Sequence, residues 1–163
     1  MKVIIDNKIP YIQGALEPFA EVIYLPGKDT TAEIAKDADA IITRTRTKCN
    51  EELLAGSTVK MIATATIGYD HIDTKWCEAN GIEWTNAPGC NSWSVVQYVM
   101  AGLYTLALEK KMELEGMTIG IIGAGNVGSK VAKYCQLIGM NVLVNDPPRQ
   151  RNEGNDGFVS LEE

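Results

Sequence analysis

Met117-Thr-Ile-Gly-Ile-Ile-Gly-Ala-Gly-Asn-Val-Gly-Ser-Lys-Val-Ala-Lys-Tyr-Cys-Gln-Leu-Ile-Gly-Met-Asn-Val-Leu-Val-Asn-Asp146 is the stretch on which the reading of this chain turns. Thr118 to Ile122 is a short, β-branched apolar run, the pattern of a buried strand. Gly123-x-Gly125-x-x-Gly128 follows. Next comes a helix-period segment whose apolar stripe is Val127, Val131, Cys135 and Ile138, with Ala132 and Leu137 beside it. Gly139 is placed to end that helix in a positive-φ conformation. A second apolar run, Asn141 to Asn145, stops at Asp146.

Strand, glycine turn, helix, strand and terminal acid stand in the order a dinucleotide site requires. Gly123 permits the tight turn, Gly125 lets the backbone approach a pyrophosphate, and Gly128 lets helix and strand pack closely. Asn126 and Val127, between the last two glycines, bring main-chain amides. The helix N-terminus adds its positive dipole. Asp146, 18 residues after Gly128, can accept both hydrogens of a ribose diol. Its charge repels a 2′-phosphate, so NAD is expected over NADP, with Arg149 and Arg151 as nearby opposing charges. A merely structural glycine turn leaves Asp146 without a role.

Outward from this segment, Pro147-Pro148 is expected to break structure and Arg149 to Gly157 to form a polar loop. Ser160 and Glu163 have the spacing of a capping box. Two strands are a fraction of the roughly six in a full dinucleotide fold. The chain is therefore expected to continue past Glu163, and its exposed strand edges favour association. On the other side, Asn91 or Ser92 caps a long helix carrying Val95, Val96, Val99, Leu103, Leu106 and Ala107 to about Lys110. It reads as a connector, with Trp93 and Tyr98 as packing residues.

Residues 1–91 alternate strand and helix. Strands are expected at Lys2 to Ile5, Glu21 to Leu25, Asp39 to Thr43, Lys60 to Ile67 and Ile82 to Asn86. Helices are expected at Tyr11 to Ala20, from a Thr30 or Thr31 cap through Ala35, after Asn50 to Gly56, and from Asp73 to Asn80-Gly81. The fold class that follows is α/β. A flavodoxin-like substrate domain spans 1–91, with a parallel sheet covered by helices on both faces. The first half of a Rossmann domain spans 92–163.

The 163 residues are 45% hydrophobic and 22% charged, with a net charge of −6. That balance argues against a nucleic-acid partner. No run of eighteen apolar residues spans a membrane, and Met-Lys-Val-Ile-Ile-Asp enters a strand directly without the shape of a signal peptide. A cytoplasmic protein is expected. Cys49, Cys77, Cys90 and Cys135 form no Cys-x-x-Cys pair and are expected as reduced thiols. With His71 the one histidine, no metal site is expected.

Ligands of an open parallel sheet sit beyond the C-terminal ends of its strands. There the third strand ends in Arg44-Thr45-Arg46-Thr47-Lys48. On an extended segment its three cations share one side, with the Thr45 and Thr47 hydroxyls on the other. Such a group can hold a carboxylate or phosphate, although an ordinary solvated loop has the same composition. The fourth strand ends in Thr66-Ile67-Gly68, where a hydroxyl and backbone amides can meet a carboxylate. His71, just before a helix cap and without an evident partner base, reads as structural or supporting.

Gly68-Tyr69-Asp70-His71-Ile72-Asp73, Asn86-Ala87-Pro88-Gly89-Cys90-Asn91, Val95-Val96-Gln97-Tyr98-Val99 and the glycine fingerprint together resemble the D-isomer-specific 2-hydroxyacid dehydrogenases. The resemblance implies an NAD-dependent enzyme, a homodimer, with substrate held by Arg44, Thr45, Thr66 and Gly68. Cofactor contacts are implied at Gly123, Gly125, Asn126, Val127, Gly128 and Asp146. Arg44-Thr45-x-Thr47-Lys48, Ala63-Thr64-Ala65-Thr66, Pro88-Gly89-Cys90-Asn91 and Asp146-Pro147-Pro148-Arg149 narrow the resemblance to members acting on a small phosphorylated hydroxy acid of four carbons. Thr45 stands where such members carry a substrate-contacting serine, and Gln97 where a glutamate is usual. The family's catalytic histidine, its glutamate and its carboxylate-binding arginine are expected beyond Glu163. His71 does not match that histidine, so no catalytic residue is assigned within the chain. Other expectations are a dehydrogenase for glycerate or phosphoglycerate, and a non-catalytic dinucleotide-binding regulatory module.

Overall fold

The computed structural model describes residues 1–154 and 157–162. Two compact units divide the chain, Met1–Pro88 and Gly89–Glu163. In the first, β1 (Lys2–Asp6), β2 (Glu21–Leu25), β3 (Ala40–Thr43), β4 (Met61–Thr64) and β5 (Glu83–Thr85) form one sheet. Every pairing is parallel and the order is β2-β1-β3-β4-β5. That is the flavodoxin-like winding, with its switch point between β1 and β3.

The register aligns Ile4, Ile41 and Ile62 across the three central strands, so all three project from one face. They pack with Ala35 of α1 (Ala32–Ala35), Leu53 and Leu54 of α2 (Glu51–Leu54), and Cys77 of α3 (Thr74–Ala79). Burying each of these isoleucines contributes about 1.5–3 kcal/mol. The helices begin where short polar side chains accept an otherwise unpaired amide. Thr31 accepts from the amide of Ile34, Asn50 from Leu53 and Asp73 from Trp76.

Two expectations for this unit are overturned. No helix forms over Tyr11 to Ala20, which is a series of turns with Tyr11 and Phe19 exposed. Pro10, Gly14 and Pro18 interrupt the helical pattern. The Glu17 carboxylate instead accepts from the amides of Gly14 (2.9 Å) and Leu16 (3.1 Å) and from the Tyr24 hydroxyl (2.8 Å). Nor do helices cover both faces, because α1, α2 and α3 all contribute to the one cluster. The opposite face carries Val3 and Ile5. Tyr24, in register with Ile5, ties the turn segment to that face through Glu17 and the Ile12 carbonyl.

The second unit contains α4 (Ser92–Lys110), β6 (Thr118–Ile122), α5 (Gly128–Leu137), β7 (Asn141–Asn145) and α6 (Pro147–Glu153). β6 and β7 pair in parallel, with Ile121 opposite Val144. Their inner face meets Val96 of α4 and Val131, Ala132 and Cys135 of α5. The other face is open, and Ile122 on it is 77% exposed.

Several local expectations fail here. Leu137 lies away from the stripe and is exposed, and Tyr98 is 81% exposed rather than packed. Trp93 is half-exposed, meeting Tyr134 edge-on at 5.9 Å with the Lys130 ammonium 5.6 Å from its ring. Neither Asn91 nor Ser92 caps α4 with its side chain: Asn91 holds the cap position without a bond, and the Ser92 hydroxyl donates back to the Gly89 carbonyl. Pro147-Pro148 opens a helix instead of breaking one, because proline's missing N–H falls where a helix has no acceptor for it. Asp146 caps that helix by accepting from the Arg149 amide. Residues 155 and 156 of the expected loop, and Glu163 of the expected capping box, lie outside the described residues. Among the described residues no helix is long and apolar enough to cross a membrane, and no cluster of side chains could hold a metal ion.

Candidate functional site

The dinucleotide turn joins β6 to α5. Gly123 has φ of +89°, and a Cβ at Gly128 would lie 1.8 Å from the Gly123 carbonyl oxygen and 3.2 Å from the Ile121 side chain. Gly128 therefore lets the turn close on itself as well as letting helix meet strand. A Cβ at Gly125 would meet nothing within 4 Å; its bareness leaves room outside the turn. No side chain caps α5, whose cap position is Val127. The Ser129 amide already donates to the Gly125 carbonyl at 3.1 Å and the Lys130 amide to the Val127 carbonyl at 3.0 Å, so the helix start suits an anion through its dipole and the amides that precede these two. Asn126 lies against Gly89, where a Cβ would approach its side chain to 2.8 Å.

Asp146 binds this turn to the end of β7. Its Oδ2 accepts from the Ala124 amide at 2.7 Å and its Oδ1 from the Arg149 amide at 3.0 Å. These two bonds, the first foremost, hold its carboxyl below the usual carboxylate range. Each oxygen keeps a lone pair for a ribose hydroxyl. The Arg149 guanidinium is committed elsewhere, donating to the Ala124 carbonyl at 2.7 Å and to Glu153 at 2.6 Å.

In the first unit the candidate residues surround the segment after β3. It is a turn, not an extended strand, so the expected division into a cationic and a hydroxyl side does not occur. Thr47 is buried, and its hydroxyl donates to the Gly27 carbonyl at 2.9 Å. Arg44 donates to the Lys8 carbonyl at 3.2 Å. Three hollows border the turn; one of about 400 Å³ is lined by Lys28, Arg46, Thr47 and Lys48 among others, and the other two hold the candidate residues. One, of about 470 Å³, brings Lys8, Lys28, Arg44 and Arg46 together with Thr45 and the buried Asp6. The other, of about 590 Å³, is lined by Thr45, Lys48, Gly68, Asp70, His71 and Asp73 among others. Among the described residues no carboxylate forms a salt bridge with Lys8, Lys28, Arg44, Arg46 or Lys48. Unpaired cations in so acidic a chain favour an anionic ligand.

Thr66 is half-buried beside the lining rather than part of it, and its hydroxyl donates to the carbonyl of the lining residue Gly68 at 2.9 Å. Thr64 Oγ1 lies 2.6 Å from Thr66 Oγ1 and 3.0 Å from His71 Nε2. Desolvation pushes the His71 pKa down, against the charge of Asp70. Burial pushes the Cys49 thiol up to about 12, whereas Cys90 is exposed. Sequence reasoning missed Lys8, Lys28 and Thr64. The lysines follow the C-terminal ends of β1 and β2, where ligands of such sheets bind, and Thr64 shares a strand face with Thr66.

The sequence profile described as D-isomer specific 2-hydroxyacid dehydrogenase, catalytic domain, matches residues 3–156. The chain belongs to this dehydrogenase family. Among relatives, an erythronate-4-phosphate dehydrogenase of Bacteroides thetaiotaomicron is 61% identical over 163 residues, covering 99% of this chain and 47% of that protein. Another, of Proteus mirabilis, is 43% identical, with 99% and 43% covered. The chain thus spans just under half the length of these curated dehydrogenases. Among solved structures of dehydrogenases, NAD+-bound 3-phosphoglycerate dehydrogenase of Entamoeba histolytica superposes with a TM-score of 0.72 at 30% identity, covering 98% of this chain and 57% of that one. D-lactate dehydrogenase of Aquifex aeolicus, complexed with NAD and lactic acid, gives 0.69 at 28% identity, with 94% and 54% covered.

Proposed function

We propose that this chain supplies the substrate-binding unit and the leading dinucleotide half of an NAD-dependent erythronate-4-phosphate dehydrogenase. The reaction is oxidation of 4-phospho-D-erythronate at its 2-hydroxyl to the 2-oxo acid, a step toward pyridoxal phosphate. The observation that carries the reading is the set of unpaired cations around the 44–48 turn, beside the Thr66–Gly68 strand end. The 2-hydroxyacid family needs one anion site, for the carboxylate; this chain offers cations enough for a phosphate as well.

Arg44, Arg46, Lys8 and Lys28 receive the phosphate by charge-assisted hydrogen bonds. Thr45, Thr66 and Gly68 hold the carboxylate end. In the second unit, Gly123, Gly125, Asn126, Val127 and Gly128 offer the pyrophosphate open space and main-chain amides, and Asp146 accepts from the ribose hydroxyls. NAD, when bound, supplies a hydride acceptor. The fit is to NAD rather than NADP. Asp146 is anionic, and Arg149 is already bonded to Ala124 and Glu153 and would have to give up those bonds to reach a 2′-phosphate. Among the described residues none is assigned the role of the proton-accepting base, so the 163 residues alone are expected to bind without turnover. The exposed Tyr98, Leu106 and Leu108 of α4 support a homodimer through that helix.

Titration with 4-phospho-D-erythronate and with erythronate, followed by amide NMR shifts, tests the substrate. The phosphate is expected to strengthen binding about tenfold or more, the scale of one or two charged hydrogen bonds. Equal affinity for the two would sink the assignment and favour a dehydrogenase of unphosphorylated acids.

A further inference from the structure

The hydrogen bonds behind Gly68 have a direction that follows from counting protons. A carbonyl only accepts, so the single hydroxyl proton of Thr66 is the one donated to the Gly68 carbonyl. In the 2.6 Å contact between Thr64 and Thr66, Thr64 must then be the donor. That uses the single proton of Thr64. The 3.0 Å contact between His71 Nε2 and Thr64 Oγ1 therefore needs a proton on Nε2. Thr64 is 3% exposed, so water offers it little competition.

We propose that His71 is a positioning residue for the substrate: as the Nε2–H tautomer it fixes, through Thr64, the Thr66 hydroxyl as a donor directed at the ligand. This rests on the reading of Thr66 and Gly68 as part of the substrate site. While Thr64 donates to Thr66, Thr66 cannot turn its proton inward. It can only choose between the neutral Gly68 carbonyl and a stronger acceptor arriving from outside. A substrate carboxylate oxygen is such an acceptor. Without an Nε2–H at His71, the Thr64 oxygen is free to accept from Thr66, and the proton turns away from the ligand. Protonating His71 leaves Nε2–H in place, so both charge states of the ring keep the same direction.

The chain has one histidine, so a long-range 15N NMR spectrum of the histidine-labelled protein reports this ring without overlap. A protonated Nε2 and a bare Nδ1 are expected above the titration; a bare Nε2 would overturn the proposal without any variant. Binding of 4-phospho-D-erythronate then separates the roles. Thr66→Val and His71→Leu are each expected to weaken it about tenfold. His71→Gln, whose amide N–H can replace Nε2–H, is expected to restore it to within about threefold, with NAD affinity and melting temperature unchanged across the His71 pair. Normal binding by His71→Leu, or loss of binding by both His71 variants alike, with Thr66→Val still impaired, overturns the relay and leaves the site standing. Unimpaired binding by Thr66→Val overturns the site itself, and the relay with it.

Discussion

The two units of this chain are built from the same βαβ grammar but enclose their cores to different depths. In the first, five parallel strands give Ile4, Ile41 and Ile62 exposures of 0–1%. In the second, two strands leave Ile121 and Met140 at 8–9%, and Ile122 on the open face at 77%. Strand number makes the difference, because a central strand is shielded by neighbours on both edges and a two-stranded sheet has no central strand. The binding features follow the same division. The first unit displays side chains at the ends of a rigid sheet. The second depends on a backbone turn, held by its glycines and by one carboxylate.

Substitutions sharpen that contrast, and Gly128→Ala and Ile62→Ala are the most severe. A Cβ at Gly128 would collide with the Gly123 carbonyl, and the destabilisation expected is about 3 kcal/mol, the upper range for overpacking. Hydrogen exchange should show protection lost over residues 118–145 while residues 2–64 are unaffected. Equal loss in both would break the two-unit description. Ile62→Ala should destabilise the first unit by about 3 kcal/mol through transfer and cavity terms. Ile122→Thr in the second should stay within about 0.5 kcal/mol. Denaturant unfolding measures both.

Asp146→Asn keeps a cap but removes the charge, and NAD affinity should fall about tenfold by calorimetry. Thiol labelling makes a finer distinction. Only Cys90 is exposed among the four free thiols, so one thiol should react rapidly in the native state and four in denaturant. Acid stability gives the smallest effect. Asp146 is depressed in the folded chain, so its contribution is present above the ordinary carboxylate pKa and is lost as pH falls through the folded value. His71 is also depressed, but as a base. Its neutral folded form favours folding above the ordinary imidazole pKa, and that advantage shrinks as pH falls from there through the folded value. Melting temperatures from pH 7 to 3 should decline in both windows. His71→Gln should flatten the upper one.

Much of this was legible in the chain itself. Thr31, Asn50 and Asp73 cap helices as their residue types suggest, and the strand–glycine–helix–strand order from Thr118 to Asp146 is seen as read. The failures share a cause, which is competition from contacts distant in sequence or from a neighbouring side chain. The segment from Tyr11 to Ala20 has helical spacing, yet Glu17 satisfies its amides as turns and fastens it to Tyr24. Pro147-Pro148 has the composition of a breaker, but stands where Asp146 can start a helix. At the candidate site, Arg44, Thr45 and Gly68 were visible as strand-end residues. The bond between Thr47 and Gly27 was not, since it joins positions twenty apart. The proton order through His71, Thr64 and Thr66 likewise needs three distances that no spacing rule supplies.

The claim on which the account rests is that the turn from Gly123 to Gly128, tied to Asp146, grips a dinucleotide. Amide NMR of the chain titrated with NAD and then with NADP tests it directly. The account predicts saturable shifts concentrated at residues 123–129 and 146–149, with NADP binding more weakly. Absence of shifts there at millimolar NAD, or equal binding of the two cofactors, would contradict it.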